Sequence, residues 1–565
     1  MAQAQSNRFD AIVVGSGITG GWAAKELCEK GLRTLVLEAG RDIVPERDYV
    51  EHVAPWEMHF RGRGDRKKLA AEQPIQRLCY ACDEMGSRFF VNDNENPYTQ
   101  TGDTNFTWIR GRQVGGRSIM WGRQVYRWSD LDFEANAKDG HGVDWPIRYA
   151  DIAPWYSYVE KFVGVTGQKE GLAQLPDGEF QPPMDMTCVE EHMRATLTSK
   201  FNDGRILTIG RAAVLTRALN GRRACHYCGP CERGCRTRSY FSSPNATLPA
   251  AADTGRLTLR PDSVVESVMF DPKTRRATGV RVIDATSMQV TEYFARVVFM
   301  CASTIESARI LLNSKSPEFP DGLGSSSGEL GRNLMDHTMG GRAGGTFDNW
   351  TDKVSYGRRP NGIYIPRFRN VNAKTQHPDF LRGYGMQGGG SRGHVNADST
   401  PGFGADYKMA LREWGPWRFS AGGWGECLPN HDNKVTLDAE KRDKWGIPAA
   451  RIDCKWGEND VKLVKDASIS AAEMLEAAGA RDITTQSTPT EMGLCIHEMG
   501  TARMGRDPKT SVLNAWNQVW DAKNLFVTDG ACMTSSGWQN PSITYMALTA
   551  RAADFAVEEM KRRNL

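Results

Sequence analysis

The sequence predicts a mixed α/β protein in which a Rossmann-like dinucleotide-binding domain is combined with a second domain. The first observation is a glycine-rich turn at residues 15–20, between a short apolar strand pattern and a helical pattern. The second is the return of strand and helix patterns at residues 257–270, 280–283 and 297–312. The third is the length of 565 residues, which exceeds one ordinary core and favours two or more domains.

Composition limits the class of protein. Hydrophobic residues make up 40% and charged residues 25% of the chain, as is usual for soluble globular proteins. The formal net charge of +3 is too small to predict nucleic acid or a membrane surface as a partner. No run of 18 apolar residues occurs, so we expect no transmembrane segment. The polar residues 1–8 do not resemble a secretory signal, and thirteen cysteines, an odd number, argue against a complete disulfide framework.

The N-terminal glycines form a dinucleotide fingerprint. Gly15 permits the tight turn, Gly17 allows close approach of the backbone to a pyrophosphate, and Gly20 allows close packing of helix on strand. The pyrophosphate would rest on the helix N-terminus, where unpaired N–H groups attract anions. Glu38 ends the second strand pattern, at residues 33–37, and would accept hydrogen bonds from ribose hydroxyls. The alternative is a glycine-rich turn on an empty sheet, and the motif alone does not separate NAD from FAD.

A second motif is a cluster of four cysteines within residues 225–235. Cys225, Cys228, Cys231 and Cys235 follow the spacing C-x2-C-x2-C-x3-C, which is typical of iron–sulfur cluster loops. The alternative is a structural zinc site, since two C-x2-C pairs also suit tetrahedral zinc. Free thiols or disulfides are less favoured. Cys235 is the least secure ligand, because arginine follows it where ferredoxin loops often have proline.

Two further features near these cysteines allow a functional and a structural interpretation. Cys79 and Cys82 form another C-x2-C pair, and nothing in the sequence joins them to the loop, so two buried thiols are favoured over metal ligands. Arginines surround the loop, where they would either attract an acidic electron-transfer partner or form a solvated basic face. They are Arg222, Arg223, Arg233, Arg236 and Arg238.

Segments spread along the whole chain resemble the glucose–methanol–choline (GMC) flavoenzymes. They comprise the Gly-Gly-x-Ser loop at 108–122, a partial match at 301–314, the segment 331–337, and three C-terminal segments at 497–505, 524–530 and 540–544. The partial match departs from the family in having Cys301 for a glycine and Glu306 near the usual proline. Met120 stands where some relatives carry the histidine that tethers FAD, so the resemblance implies non-covalent FAD.

The resemblance implies a GMC fold, with an FAD-binding domain and a substrate domain built on an antiparallel β-sheet. The expected FAD-binding domain comprises residues 1–135, 221–340 and 491–565, and the substrate domain comprises residues 136–220 and 341–490. Tryptophans in the second region would either line a sugar site or fill the core. They are Trp414, Trp417, Trp424 and Trp456.

The resemblance also implies a set of cofactor-binding residues. For residues 115–118 the alternative is an ordinary glycine-rich loop, and for Asp529 it is a turn at a strand end. The set comprises Gly15, Gly17, Gly20, Glu38, Arg112, Gly115, Gly116, Ser118, Val265, Asp529, Gly530, Pro541, Ser542 and Ile543.

The expected catalytic pair is His497 and Asn540, which fall on the family's two positions. A neutral imidazole suits removal of a hydroxyl proton near pH 7, because its unperturbed pKa is about 6.5. Asn540 would position the substrate hydroxyl. Asn540 also precedes Pro541, so the pair is expected to start a C-terminal helix over residues 541–560, whose positive end would face the flavin.

The predicted function is an FAD-dependent sugar dehydrogenase with an iron–sulfur relay. The resemblance is to bacterial enzymes that oxidise a secondary or anomeric hydroxyl of a sugar or glycoside, with carbon 3 as one candidate position. One alternative is an oxidase that uses O2 and carries structural zinc, and another is a non-catalytic flavin-fold binding protein. The expected partners are a small accessory subunit and a cytochrome or other acceptor. A signal-bearing subunit would carry the chain to the periplasm; otherwise it would be cytoplasmic.

Overall fold

The computed structural model describes residues 7–54, 57–59, 64–102, 104–355, 357–395 and 400–565. Residues 1–6, most of the segment assessed as a signal, lie outside these ranges. The strands are β1 (Arg8–Val14), β2 (Thr34–Leu37), β3 (Thr99–Gln100), β4 (Thr208–Ile209), β5 (Leu257–Arg260), β6 (Ser263–Asp271), β7 (Arg276–Asp284), β8 (Val290–Met300), β9 (Gly341–Phe347), β10 (Ile363–Ile365), β11 (Tyr384–His394), β12 (Trp414–Gly425), β13 (Lys434–Arg442), β14 (Pro448–Asp453), β15 (Arg481–Ser487), β16 (Gln518–Val519) and β17 (Ala522–Val527).

Helices surround these strands. They are α1 (Ile18–Glu29), α2 (Pro45–Asp48), α3 (Arg66–Glu72), α4 (Asp130–Phe133), α5 (Ala135–Asp139), α6 (Tyr149–Val163), α7 (Cys188–Lys200), α8 (Thr247–Asp253), α9 (Thr304–Asn313), α10 (Gly404–Ala410), α11 (Glu458–Ala477) and α12 (Ser542–Lys561). Short 3-10 turns occur at Gly116–Ile119 and Cys231–Arg233, among others.

The first sheet is the predicted dinucleotide-binding sheet. Its parallel core has the order β17-β8-β1-β2-β5, in which β1 is flanked by β2 and β8. The last four residues of β1 and all of β2 are buried, which explains their continuous apolar runs. The pattern over residues 257–270 forms two strands, because Pro261 removes a backbone donor and Asp262 adopts a left-handed φ of 52°.

The second sheet is antiparallel, with the order β15-β9-β12-β11-β10-β4. It confirms the predicted combination of a Rossmann-like sheet with an antiparallel sheet. Strand β12 carries three of the predicted tryptophans in different settings. Trp417 is buried in the core, Trp414 stacks on His394 at the exposed end, and Trp424 faces a cavity between the sheets.

Two segments assigned to the substrate region pack with the dinucleotide-binding sheet. Helix α6 shares a hydrophobic core with Trp22 of α1 and with α12. Strands β13 and β14 contribute Val435 and Ile452 to that same core. These contacts bury apolar faces of α6, β13 and β14 that the irregular sequence pattern did not reveal. The domain boundaries given above stay a prediction. No helix in the described residues is long and apolar enough to cross a membrane.

Candidate active site

A cavity of about 490 Å³ lies between the two sheets. One wall comes from the β1–α1 turn, the Gly-Gly loop and the first residues of α12. The other wall includes Met339 and the inner face of β11 and β12, with Gln387 and Trp424. Most of the residues predicted from sequence to bind a cofactor meet here.

The β1–α1 turn has the close contacts that require glycine. A Cβ atom on Gly15 would lie 2.4 Å from the carbonyl oxygen of Cys301, and Gly15 has a φ of 92°. A Cβ on Gly20 would lie 1.9 Å from the carbonyl oxygen of Gly15. Gly17 differs, since a Cβ there would meet no protein atom within 4 Å. Gly15 and Gly20 are therefore needed for packing, whereas Gly17 leaves space open beside the helix N-terminus.

Glu38 is held in place at the end of β2. One carboxylate oxygen accepts hydrogen bonds from the backbone N–H and the hydroxyl of Ser16, at 3.1 and 2.6 Å. The other accepts a bond from the backbone N–H of Gly40 at 3.0 Å. Burial raises the pKa of the Glu38 carboxyl, although these donors act in the opposite direction.

The Gly-Gly loop is tied to the same turn. The backbone N–H of Gly115 donates to the Ser16 hydroxyl at 2.9 Å, with Gly115 at a φ of 92°. Ser118 donates to the carbonyl of Gly115 at 2.6 Å and accepts from the backbone N–H of Ser243 at 3.0 Å. The Ser118 hydroxyl thus stabilises the loop, and Gly116 lies against Gly17.

Arg112 projects into the end of the cavity near Glu38 and Val265. Its guanidinium donates to Asn96 at 2.6 Å and to Glu306 at 3.2 Å, and it stacks on the Trp445 ring. Glu306 departs from the family pattern, near the position of the usual proline. In the structure its carboxylate forms an ion pair with Arg112. Neighbouring arginines hold the pKa of the Glu306 carboxyl below its usual value despite its burial.

Asp529 lies at the end of β17. Its carboxylate accepts bonds from the Ser307 hydroxyl at 2.5 Å and from the backbone N–H of Ala531 at 3.0 Å. Burial raises its pKa to about 6. The adjacent Gly530 is required because a Cβ would lie 2.3 Å from the Thr304 hydroxyl and 2.4 Å from the Glu498 carbonyl.

The start of α12 leaves the Asn540 side chain available to the cavity. The helix begins at Ser542 with Pro541 as its N-cap, one residue later than the sequence predicted. The Asn540 amide oxygen accepts a bond from Gln387 Nε2 at 2.8 Å. Its nitrogen lies 3.4 Å from His497 Nε2. Gln387 on β11 therefore orients the Asn540 amide so that its N–H groups face the histidine and the cavity.

His497 is paired with a second histidine that lies behind it. His337 Nε2 lies 3.1 and 3.0 Å from the carbonyl oxygens of Ser536 and Gly537 and must donate to them. A neutral His337 therefore carries no proton on Nδ1, which accepts the bond from His497 Nδ1 at 2.8 Å. This arrangement leaves His497 Nε2 unprotonated and directed towards Asn540 and the cavity.

Both imidazoles are held neutral. Burial lowers the pKa of His337 to about 4. Burial, together with His337 and the Arg117 guanidinium, lowers the pKa of His497 well below its ordinary value. A basic, uncharged nitrogen thus faces the cavity over the usual working pH range.

The backbone that carries His497 is anchored by Asp336. Its carboxylate accepts hydrogen bonds from the backbone N–H groups of Gly493, Cys495 and His497, at 2.8, 3.2 and 3.0 Å. Burial and the nearby Glu498 raise the pKa of Asp336 to about 7. Ile496, a β-branched residue, adopts a left-handed φ of 65°. This strain accompanies a turn that brings Cys495 Sγ within 3.4 Å of His497 Nδ1.

The cavity gathers most, but not all, of the predicted residues. Gly20 and Gly115 support its wall from behind, and Ile543 is buried in the core. Sequence reasoning did not assign roles to His337, Gln387 or Cys495, and it left Trp424 open between a sugar site and the core, of which the cavity lining agrees with the first. The only available signal was that His337 ends the Gly-Arg-Asn-Leu-x-Asp-His segment.

The four loop cysteines lie beside this cavity, partly or fully exposed. Among the described residues, no three of their sulfur atoms lie within 4.8 Å of one another. The segment that carries Cys79 and Cys82 lies against the cysteine loop in the structure, although the sequence did not connect the two. Asp83, next to Cys82, forms an ion pair with Arg233 at 2.6 Å.

A thin layer of side chains separates the cavity from the cysteine loop. Trp121 lines the cavity, and its ring centroid is 6.4 Å from that of Tyr240. Tyr240 is buried and packs in the cluster against which Cys225 and Cys235 lie. The Arg123 guanidinium lies 5.2 Å from the centre of the Tyr240 ring. Aromatic contacts therefore connect the cavity to two of the four thiols.

Sequence comparison identifies the family. Profiles of the family described as GMC oxidoreductase match residues 9–339 and 429–549. The chain belongs to the GMC oxidoreductase family. It is 29% identical to 2-methyl-1,2-propanediol dehydrogenase of Mycolicibacterium austroafricanum, covering 97% of this chain and 95% of that protein. It is 26% identical to the fructose dehydrogenase large subunit of Gluconobacter japonicus, covering 98% of both.

The fold agrees with the family. A solved structure of formate oxidase from Aspergillus oryzae superimposes with a TM-score of 0.60 and 13% identity, covering 99% of both chains. As a GMC oxidoreductase, this protein binds FAD and acts on the CH–OH group of sugars or alcohols. The cavity fits that cofactor. Space is open beside Gly17, and Tyr545 presents a hydroxyl with no hydrogen-bond partner in the described residues.

Proposed function

We propose that this protein is a dehydrogenase that oxidises a secondary or anomeric hydroxyl of a sugar or glycoside, with electrons leaving through an iron–sulfur cluster. The observation that carries the proposal is the orientation of His497. Its unprotonated Nε2 lies 3.4 Å from the Asn540 amide nitrogen, at the wall of a cavity that suits FAD. Bound FAD would supply a hydride acceptor.

In this proposal the chain's own residues prepare the substrate hydroxyl. The Asn540 amide, oriented by Gln387, donates a hydrogen bond to the hydroxyl oxygen. His497 Nε2 accepts the hydroxyl proton as general base. The resulting imidazolium keeps its Nδ1–H bond to His337, while Asn540, which faces Nε2 in the absence of substrate, donates to the substrate oxygen instead.

Particular residues would hold the cofactor. Gly17 and the N-terminus of α1 would contact the diphosphate, and Glu38 would bind ribose hydroxyls. Arg112 and Val265 line the end of the cavity nearest Glu38. The start of α12 would direct the positive end of its dipole at the flavin ring. Met120 stands where a tethering histidine would be needed for a covalent link, which supports non-covalent binding.

The cysteine loop is proposed to hold an iron–sulfur cluster rather than zinc. Tetrahedral zinc with Zn–S bonds of about 2.3 Å requires sulfur atoms about 3.8 Å apart. In the described residues no three of the loop sulfur atoms lie within 4.8 Å of one another, so the loop does not hold three thiols at that spacing. A cluster of several iron atoms spans a wider space. The Trp121–Tyr240 contact supports a relay by placing aromatic rings between the cavity and the loop.

A second candidate substrate class is a small 1,2-diol. The relative that oxidises 2-methyl-1,2-propanediol covers almost the whole chain. Apolar side chains of Met339, Trp424 and Leu494 line the cavity, together with the polar Gln387 and Asn540. Such a wall accommodates the methyl groups of a branched diol, and an aromatic wall also suits the apolar face of a sugar ring.

The proposal includes partners and a location. The relative from Gluconobacter is named as a large subunit, which supports assembly with a small accessory subunit and an acceptor such as a cytochrome. The proposed location is the periplasm, reached through a signal-bearing partner subunit, with the cytoplasm as the alternative. Co-expression with a candidate small subunit, followed by fractionation, tests this part of the proposal.

Anaerobic mixing of the purified holoenzyme with sugars, glycosides and 1,2-diols tests the activity. We expect a sugar or glycoside to bleach the flavin, and an artificial dye to support turnover better than O2. If only diols bleach the flavin, the substrate is a small 1,2-diol rather than a sugar. Efficient use of O2 would favour an oxidase over a dehydrogenase. Iron and acid-labile sulfide analysis with electron paramagnetic resonance tests the cluster, and zinc bound by the cysteines of residues 225–235 would exclude it.

A further inference from the structure

His337, Cys495 and His497 bring three metal-binding atoms together. Two imidazole nitrogens and a thiol sulfur all lie within 4.8 Å of one another, in the only such group among the described residues. The two Nδ1 atoms are 2.8 Å apart, and Cys495 Sγ is 3.4 Å from His497 Nδ1. We propose that these side chains form an inhibitory Zn²⁺ site.

The donors match the preferences of zinc. Imidazole nitrogen and thiolate sulfur are its usual protein ligands, with bonds of about 2.0 and 2.3 Å. In a tetrahedral site of that size the two nitrogens would lie about 3.3 Å apart, so they need to separate by about 0.5 Å. Rotation of the His497 ring, which borders the open cavity, provides this space.

The surroundings resemble those that support metal ligands elsewhere. His337 donates its outer N–H to two backbone carbonyls, which leaves Nδ1 unprotonated and directed towards His497 Nδ1. The segment carrying Cys495 and His497 is fixed by backbone bonds to the Asp336 carboxylate. The carboxyl groups of Asp336 and Glu498 lie near enough to act electrostatically on Cys495, and Glu498 is itself paired with Arg117.

Zinc binding would relocate one proton and release another. The Cys495 S–H bond breaks, its proton passes to solvent, and a Zn–S bond forms. The proton on His497 Nδ1 moves to Nε2, while both Nδ1 atoms form bonds to zinc. No group is oxidised or reduced. His497 Nε2 then carries a proton and no longer acts as a base, so bound zinc stops removal of the hydroxyl proton. This inhibition rests on the proposed function, whereas the binding does not.

Zinc X-ray absorption tests the site on the holoenzyme. Metal-stripped buffer and one added equivalent of Zn²⁺ are used with the wild type, Cys495→Ser, and the control Cys454→Ser. Cys454 is also buried but contacts Met492 and the Leu334 carbonyl rather than histidine. A parallel set of the three proteins carries Cys228→Ser, which removes one thiol of the competing loop, and serves for zinc binding only. Activity is measured in the set without this change.

We expect one sulfur and two nitrogen ligands in the wild-type background and in the control. Zinc affinity should fall at least about tenfold in Cys495→Ser, as for other lost metal ligands. Cys495→Ala provides a second variant if the serine disturbs folding. A sulfur-rich spectrum unaffected by either Cys495 change, or no bound zinc, would overturn the proposal. If zinc binds through these ligands and activity is not lost, the metal site is confirmed but the role of His497 as base is contradicted.

Discussion

The Nδ1 atoms of His337 and His497 lie 2.8 Å apart, in a hydrogen bond that fixes the protonation of both rings. The outer nitrogen of His337 must donate to two carbonyls, so the shared proton belongs to His497. A basic Nε2 at the cavity wall follows from these contacts. His337 is thus a positioning residue, acting through His497 without facing the cavity.

Substitution of His337 tests this tautomer control. In His337→Leu the His497 Nδ1 proton loses its imidazole acceptor and keeps only the weak acceptor Cys495 Sγ at 3.4 Å, so we expect anaerobic flavin reduction to slow by about 10- to 100-fold. His337→Gln offers an amide oxygen and should recover much of the rate. FAD content, measured by absorbance, should match the wild type in both. Equal rates in the two variants would show that the effect is one of packing alone.

Two glycines of the β1–α1 turn should respond differently to alanine. In Gly17→Ala the new methyl meets no protein atom within 4 Å, so unfolding of the flavin-free protein should change by less than about 1 kcal/mol. FAD affinity should nevertheless fall, because the methyl occupies the space proposed for the diphosphate. Fluorescence titration with FAD measures this loss, and unchanged affinity would remove Gly17 from the cofactor site.

Gly20→Ala is the matched comparison. Its Cβ would lie 1.9 Å from the carbonyl oxygen of Gly15, so helix and strand must separate. We expect a loss of about 3 kcal/mol or more in the free energy of unfolding, measured by denaturant titration. A stability close to that of Gly17→Ala would contradict the packing role assigned to Gly20.

The pH dependence of flavin reduction follows from the pKa of His497. Only the neutral ring accepts a proton, and burial moves its pKa well below the ordinary value. Below that pKa the rate is lost, so the rate at saturating substrate should stay constant from about pH 8 to below about pH 6.5. Rapid-mixing absorbance measures this rate. Asp336, with a pKa of about 7, titrates in the same range, so an inflection at or above pH 6.5 that is also present in Asp336→Asn would contradict a buried, neutral base.

The aromatic layer provides a test of the relay. In Tyr240→Leu the ring between Trp121 and the cysteine loop is lost, and we expect cluster reduction to slow while substrate still bleaches the flavin normally. Freeze-quench electron paramagnetic resonance follows the cluster in the same samples. Trp516→Leu is the control, since Trp516 stacks on Phe555 and does not line the cavity. Equal cluster reduction in both variants would exclude Tyr240 from the route.

Local sequence was sufficient to predict the dinucleotide-binding strand, turn and helix. Two glycines in this turn are needed because a side chain would collide with nearby backbone. The colliding atom belongs to the same turn for Gly20 and to Cys301, directly after the neighbouring strand β8, for Gly15. The antiparallel sheet was inferred only by resemblance. Strand β11 is rich in glycine and shows no clear alternation of apolar residues, and in β12 the alternation is confined to residues 417–421 before two glycines follow.

The candidate site was only partly predictable for a related reason. His497 and Asn540 belong to recognisable segments, whereas the residues that orient them are distant in sequence. His337 precedes His497 by 160 positions, and Gln387 precedes Asn540 by 153. Their contacts depend on how the second sheet packs over the first, which no local pattern specifies. The link between Asp83 and the cysteine loop was missed for the same reason.

The central claim is that His497 Nε2 removes the substrate's hydroxyl proton. The most direct test is the rate of anaerobic flavin bleaching in the wild type and in His497→Ala, at saturating substrate and equal FAD content. We predict a fall of about 10²- to 10⁴-fold in the variant, as expected for loss of a general base. A variant that bleaches as fast as the wild type would contradict the claim.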